Sequence, residues 1–240
     1  MIVEVCSTSL IGIQNAVQAG ANRIELCSGL ELGGLTPSMG LIQEAVALET
    51  LDIHSLIRPR AGHFTYSQEE IRIIEKDILF AKERGCRGVV IGALNSDFKL
   101  NVPLLKKWKQ LAGPLYLTFH RAIDVVVDPH LAIRQLIDLG FDCILSSGQS
   151  EKAVDGFEKL NQWQEVFGDE ILIMPGSGIN SSNCMLFKTA GFKAIHLSGS
   201  KAQPLLKIPE GVHNEISFLN QLLSVSDTSK IKNVVSQLKS

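Results

Sequence analysis

Eight residues with useful chemistry stand at or near the ends of short apolar segments of this chain. They are Glu4, Cys6, Glu25, Cys27, Arg58, Arg60, His120 and Asp124. Thiolates are soft ligands that favour Cu(I). Arginines bind anionic groups through paired N–H donors, and a histidine beside a carboxylate can exchange protons near neutral pH. The set therefore indicates either a copper site or an acid–base active site.

Strand alternation places most of these residues on one side of their segments. In VEVCS, Val3 and Val5 suit contact with helices, so Glu4 and Cys6 point the opposite way. The same alternation predicts interior positions for Arg23, Glu25, Cys27, His54, Leu56, Arg58, Arg60, Tyr116, Thr118, His120, His196 and Ser198. Buried charges are costly unless they are paired, so we expect Glu4 and Glu25 to pair with Arg58. Such pairs are either a structural network or part of an active site.

An eightfold alternation of strand and helix must position these side chains. The strands are predicted to begin near Ile2, Arg23, Asp52, Gly88, Leu115, Asp142, Ile171 and Ala194, each followed by a helical pattern. Glycines 20, 85, 140 and 191 repeat the same joint between a helix and the next strand. A repeated joint favours a closed (β/α)₈ TIM barrel over an open doubly wound sheet, and polar groups at its strand ends then form the working site.

Two glycine-containing loops of the predicted barrel suit an anion. IMPGSGIN follows strand seven and HLSGS ends strand eight. The residues that we expect to bind there are Gly176, Gly178, Ser198 and Gly199. Loops after strands seven and eight often hold phosphate in this fold, with Ser181 or Ser182 capping the next helix; the alternative is two tight turns without a ligand. The longer loop GLELGGLTPS after strand two is predicted to be a lid or, alternatively, an ordinary turn.

Length and composition bound the class of protein. The 240 residues suit one domain, with the barrel over about residues 1–210 and a tail over about 211–240 that ends in a loosely attached helix. The net charge of −2 favours neither nucleic acid nor a membrane surface. The N-terminal segment resembles a strand and lacks the basic start of a signal peptide. Five scattered cysteines indicate free thiols, and together these features predict a cytoplasmic protein.

Several segments resemble the CutC family, which is long named for copper homeostasis. They are EVCSTS, GANRIELCSGLELGGLTPS, LIRPRAGHFTYS, GVVIGAL, TFHRAID, ILSSG and MPGSGIN. The resemblance runs from Ile2 to about Gly199 and implies an α/β barrel, a cytoplasmic location and a homodimer or higher homo-oligomer. The family's two early cysteines match Cys6 and Cys27, and its arginine pair matches Arg58 and Arg60.

The chain departs from the family pattern at four positions. Asn22 stands where Asp is usual, His63 replaces an Asp, Ile123 replaces a Phe and Ser177 replaces a Gly. None of these changes removes a central group. His63 alters the charge of the loop after strand three, and therefore its preference for a ligand.

Two functions remain open on the residues. The first is Cu(I) binding by Cys6 and Cys27. Adjacent strands lie about 4.8 Å apart, so two sulfurs could share one ion; the alternative is that the stagger of barrel strands places them in different layers. The second is an enzyme acting on a small phosphorylated or carboxylated metabolite. In that enzyme Arg58 and Arg60 would hold the anionic group. His120, close to an acid such as Asp124 or Glu25, would be the general acid or base. Glu25 or Glu4 would serve as the partner base. Neither substrate nor reaction follows from the sequence.

Overall fold

Eight parallel strands form the centre of the molecule. The computed structural model describes residues 1–203, 209–211 and 223–239. The central strands are β1 (Ile2–Ser7), β2 (Arg23–Leu26), β3 (Asp52–Leu56), β4 (Gly88–Ile91), β5 (Tyr116–Phe119), β6 (Cys143–Ser146), β7 (Leu172–Pro175) and β8 (Ala194–Leu197). A separate antiparallel pair consists of β9 (Ser200–Ala202) and β10 (Ser224–Ser226).

Helices follow the central strands in chain order. Their bounds are α1 (Leu10–Ala19), α2 (Met39–Ala47), α3 (Gln68–Glu83), α4 (Val102–Ala112), α5 (Pro129–Leu139), α6 (Phe157–Phe167), α7 (Cys184–Thr189) and α8 (Thr228–Lys239). None of the helices among the described residues has the length and apolar character needed to cross a bilayer.

The sheet order is β7-β6-β5-β4-β3-β2-β1-β8, with every ladder parallel. The two end strands, β7 and β8, lie beside each other, so the sheet curves into a nearly closed barrel. The predicted TIM barrel is confirmed. Because all strands run the same way, their C-terminal ends meet at one mouth.

Local sequence explains where the helices begin and end. Ser67 and Glu70 form a reciprocal capping box at the start of α3. Gly20 and Gly140 end α1 and α5 with positive φ angles of 84° and 75°, as the repeated glycine joint predicts. These joints return the chain directly to the next strand.

The apolar core lies mainly between the strands and the helices. Fully buried large side chains there include Trp108, Trp163, Phe119 and Phe187. The barrel interior contains two smaller apolar clusters. Cys6, Cys27, Leu56 and Val90 form the first, and Cys143, Leu145, Met174 and Ala194 form the second.

The terminal helix is present, but it is not loosely attached as the sequence suggested. Four residues of α8 are buried, namely Ile231, Val234, Val235 and Leu238. The helix packs against α1 and α7, where a barrel places its eighth helix. The polar segment SVSDTSK at the start of this helix is also held in place, since Ser226 is buried and the Asp227 side chain accepts from the Lys230 backbone N–H. Residues 204–208, near the end of the predicted barrel range, and residues 212–222 and 240 of the predicted tail lie outside the described residues.

Candidate metal and ligand site at the barrel mouth

A cavity of about 500 Å³ opens at the C-terminal ends of the strands. This volume is in the range that holds a small metabolite. The polar and charged side chains among its lining residues are Cys6, Glu25, Arg58, His120, Arg121, Asp124, Ser177, His196 and Ser198. Several residues that alternation predicted to face inward therefore meet at one site.

A buried chain of charges lies beneath the cavity. The Glu4 carboxylate accepts from Arg23 Nε at 2.5 Å, and its other oxygen lies 2.8 Å from His196 Nδ1. Burial alone would raise the pKa of Glu4, but the His196 hydrogen bond and the Arg23 charge together lower it to about 2. The predicted pairing of Glu4 with Arg58 is therefore wrong: the neighbouring strands β2 and β8 supply the partners.

The second imidazole nitrogen of His196 faces Glu25. His196 Nε2 lies 3.7 Å from Glu25 Oε2. Burial disfavours the charged imidazole, but the charges of Glu25 and Glu4 outweigh it and raise the pKa of His196. Burial raises the pKa of Glu25 in spite of the His196 charge. Predicted pairing of Glu25 with Arg58 is also wrong, since His196 occupies that place.

Cys6 and Cys27 form a close pair of thiols. Their sulfur atoms are 3.1 Å apart, and both residues are free and buried. Cys6 lines the cavity, whereas Cys27 packs behind it against Leu56. The hydrogen bond with Cys27, burial and the Glu25 charge raise the pKa of Cys6 well above its usual value. The predicted proximity of the two sulfurs is confirmed.

Arg58 organises the loops around the mouth. Its Nη1 donates to the carbonyls of Leu32 and Gly34, and its Nη2 donates to Gly62. Both guanidinium ends are thus committed to backbone oxygens. The long loop after β2 is held over the mouth by these bonds, so Arg58 clamps that loop instead of presenting a free fork to an anion.

Arg60 does not reach the cavity, contrary to the prediction. Its Nε donates to Glu70 at 2.5 Å, and its Nη atoms donate to the carbonyls of His63 and Thr65. The reason is that β3 ends at Leu56, so strand alternation does not extend past Pro59 to Arg60. Arg60 therefore anchors the start of α3.

His120 lines the cavity as a neutral side chain. Its Nδ1 accepts the backbone N–H of Ala122 at 3.2 Å, and its ring contacts Phe64. Burial and the Arg58 charge lower the pKa of His120 to about 3. This value is too low for the predicted general acid–base role near neutral pH.

Asp124 is not the partner of His120. Its carboxylate accepts from the Ser146 hydroxyl, the backbone N–H groups of Ser147 and Gln149, and Arg121. These contacts fix the loop that leads from β6 to α6. Asp124 lines the mouth, but its oxygens are occupied by this loop.

The predicted glycine-loop site is only partly assembled. Gly178 and Ser198 line the cavity. A Cβ on Gly176 would lie 2.5 Å from Leu145 and 3.3 Å from His196, so this glycine permits close packing beneath the mouth. Gly199 packs against Ile231 of α8 in the same way. Asn183, not Ser181 or Ser182, precedes α7, and its side chain forms no capping bond with that helix.

The main residue absent from the predicted site set is His196. Its inward position follows from alternation in AIHLSG, but the sequence does not reveal that Glu4 and Glu25 flank it. Gly92 is a second residue outside the predicted site set: a Cβ there would lie 2.4 Å from the His120 ring. The second glycine of GVVIGAL, Gly92, is the sequence signal for that close contact.

The fold and mouth together define a (β/α)₈ barrel with a thiol, carboxylate and imidazole cluster at its C-terminal end. Comparison with known proteins then shows that the chain belongs to the CutC family, whose profile matches residues 1–201. A CutC family protein of Vibrio vulnificus (strain YJ016) is 40% identical over 244 residues, covering 99% of this chain and 98% of the relative. A CutC family protein of Glaesserella parasuis is 37% identical, covering 98% of each chain.

A solved structure supports the same assignment. The crystal structure of CutC from Streptococcus agalactiae, which is named as a candidate copper homeostasis protein, matches with a TM-score of 0.78 and 32% identity. The match covers 82% of this chain and 98% of that chain. A KDPGal structure at 11% identity and a TM-score of 0.59 shares the fold alone.

Proposed function

We propose that the protein binds Cu(I) through Cys6 and Cys27 at the floor of the mouth cavity. The observation that carries this proposal is the 3.1 Å separation of the two free sulfurs, one of which lines the cavity. Cu(I) prefers soft sulfur ligands. The residues present fit this ion, and the family name of the Streptococcus agalactiae relative points to the same metal.

The surroundings of the thiol pair suit a buried cation. Cys6 is adjacent to Glu25, whose charge disfavours the thiolate when no cation is near. A bound copper ion would offset that repulsion and stabilise the thiolates. His196 Nε2 supplies a nitrogen donor next to Cys6, while Glu4 holds the other ring nitrogen. These contacts support a site of two sulfurs with an adjoining imidazole.

The test is copper competition under reducing, anaerobic conditions. The wild-type protein and the C6S/C27S variant are titrated against a chromogenic Cu(I) chelator. Wild type should withdraw one equivalent of copper, and the double variant should withdraw none. A C86S/C184S variant is the matched control, because those two buried thiols lie away from the cavity. Equal copper binding by C6S/C27S and wild type would contradict the proposal.

A second candidate function is acid–base catalysis on a small phosphorylated or carboxylated metabolite. The observation in its favour is the Glu4–His196–Glu25 chain at a cavity of about 500 Å³. Glu4 fixes the imidazole, so His196 Nε2 and Glu25 would exchange protons with a ligand. The backbone near Gly178 and Ser198 would accommodate its anionic end.

Thermal stability with added metabolites tests this candidate. A ligand that binds the native state raises the melting temperature by mass action. Phosphorylated and carboxylated metabolites should raise it for wild type. Gly178→Val should remove the gain relative to its own baseline, because Gly178 has a φ of +75° and a side chain there would meet Lys152 and distort the loop that lines the cavity. Arg60→Ala should retain the gain, because Arg60 is bound to Glu70 away from the cavity. No shift from any metabolite would contradict this candidate.

We infer a cytoplasmic location and a homo-oligomeric state. Five free cysteines support a reducing compartment. The family resemblance supports self-association, which light scattering coupled to size-exclusion chromatography measures directly. A mass equal to one chain across the working concentration range would contradict the oligomer.

A further inference from the structure

A second set of donors at the mouth suits a different kind of metal ion. The ligand atoms of Cys6, Glu25 and His196 all lie within 4.8 Å of one another. These three residues come from β1, β2 and β8, which are neighbours in the barrel. Cys27, the second sulfur of the proposed copper site, is outside this group of three.

We propose that Cys6 Sγ, a Glu25 carboxylate oxygen and His196 Nε2 form a site for a divalent ion of the Zn²⁺ class, open toward the cavity. Zinc accepts sulfur, nitrogen and oxygen ligands at about 2.0–2.3 Å, so a tetrahedral ion places its ligands roughly 3.3–3.7 Å apart. The 3.7 Å between His196 Nε2 and Glu25 Oε2 already meets that requirement.

The surroundings of His196 are those of a metal-binding histidine. Such histidines usually donate the second ring N–H to a carboxylate, which fixes the ring and its tautomer. Glu4 lies 2.8 Å from His196 Nδ1 and leaves Nε2 toward Glu25. Arg23 in turn holds the other Glu4 oxygen. The Arg23–Glu4 ion pair has no net charge, and it holds the His196 ring in the orientation that a metal ligand needs.

Ligand type distinguishes this site from the copper site. A Cys6 thiolate and the Glu25 carboxylate carry two negative charges, which a divalent cation neutralises. Carboxylate oxygen suits a zinc-class ion together with sulfur and nitrogen, whereas soft Cu(I) favours the second sulfur, Cys27. Cys27 then remains a thiol, with its sulfur 3.1 Å from Cys6, and can donate to the thiolate.

Three protein ligands leave one position of a tetrahedral ion for water or a ligand group. That position would face the cavity that Cys6, Glu25 and His196 line. A bound ion would take up Glu25 and His196 as ligands, so they would no longer exchange protons, and the ion would supply acid–base chemistry through a water at its open position. This inference goes beyond both candidate functions, because it concerns a different ion and puts Glu25 in the ligand set in place of Cys27.

Zinc competition separates the two metal sites. Metal-free protein is titrated with Zn²⁺ against a colorimetric zinc chelator, and the same variants are titrated with Cu(I). E25Q should weaken zinc binding by at least about 100-fold and retain copper binding, whereas C27S should retain zinc and lose copper. E31Q, which changes a glutamate of the loop after β2 away from these ligands, is the matched control.

Cobalt provides a readout that does not depend on affinity. Co²⁺ in place of Zn²⁺ should give intense tetrahedral d–d bands and a sulfur-to-cobalt charge-transfer band in the near ultraviolet. C6S should lose the charge-transfer band.

The support of His196 by Glu4 is tested with E4Q, whose folding is checked by circular dichroism. E4Q should weaken zinc binding about 10- to 100-fold, because the carboxylate that orients the His196 ring is lost.

Three results would overturn the zinc site. They are no zinc binding by wild type, zinc binding unchanged in E25Q, and zinc binding lost in C27S. Failure of the copper proposal is recognised separately, since C6S/C27S and wild type would then bind Cu(I) equally.

Discussion

Replacing Glu4 with Gln should destabilise the protein strongly. Glu4 is completely buried, and its two oxygens contact Arg23 Nε and His196 Nδ1. Glutamine keeps the shape and one acceptor oxygen but removes the charge that compensates Arg23. Breaking a buried pair from one side typically costs about 3–5 kcal/mol, because the remaining charge stays desolvated. We expect the free energy of unfolding to fall by an amount in that range.

Urea denaturation of E4Q measures this cost, and an exposed ion pair is the control. Arg134 Nη1 lies 2.8 Å from Glu170 Oε2, and the two side chains are 45% and 46% exposed. E170Q should therefore cost less than about 1 kcal/mol. An E4L/R23M double variant should be more stable than E4Q, because it removes both buried charges and retains apolar volume.

The contrast between the single and double variants tests the reasoning. If E4Q lies within about 1 kcal/mol of wild type, Glu4 does not compensate a buried charge. If E4L/R23M is less stable than E4Q, the cost comes from lost packing and not from an unpaired arginine.

Three further changes follow from the same structure. Burial lowers the pKa of His54 from 6.5 to about 4 and that of His120 from 6.5 to about 3. Below pH 6.5 these histidines therefore bind more protons in the unfolded chain than in the folded protein. The free energy of unfolding should fall by about 2 kcal/mol per histidine from pH 7 to pH 5. His120→Gln should remove about half of that decrease in urea denaturation, and an unchanged pH dependence would contradict this origin. Gly92→Ala should lower the free energy of unfolding by about 1–3 kcal/mol, because its Cβ would meet the His120 ring. Gly40→Ala is the control and should cost nothing, since the space around Gly40 is open. Equal effects of the two changes in urea or thermal unfolding would exclude crowding as the cause. Arg58→Lys should speed proteolysis of the loop after β2, since lysine cannot span the three carbonyls that Arg58 binds, and an unchanged cleavage rate would show that the clamp is unimportant.

Strand alternation predicts the barrel interior well because it is a local property of the backbone. Glu4, Glu25 and His196 each lie within a strand, and each faces the interior as expected. Alternation fails at Arg60, because the strand ends four residues earlier and the chain turns through Pro59. The limit of this prediction is therefore the end of the strand.

Partners across the barrel were harder to predict than positions. Glu4 pairs with Arg23 and His196, residues 19 and 192 positions away in the chain. Register between strands decides such pairs, and a single sequence does not contain that register. The attachment of α8 was missed for a similar reason, since its apolar face is visible in the sequence but its neighbours α1 and α7 are not.

X-ray absorption at the copper edge tests the central claim of this account most directly. Protein loaded with one equivalent of Cu(I) should show two sulfur scatterers and one nitrogen scatterer, as expected for Cys6, Cys27 and His196. The C86S/C184S control should give the same spectrum. A first shell of nitrogen and oxygen alone, or a sulfur shell that persists in C6S/C27S, would contradict a copper site at the barrel mouth.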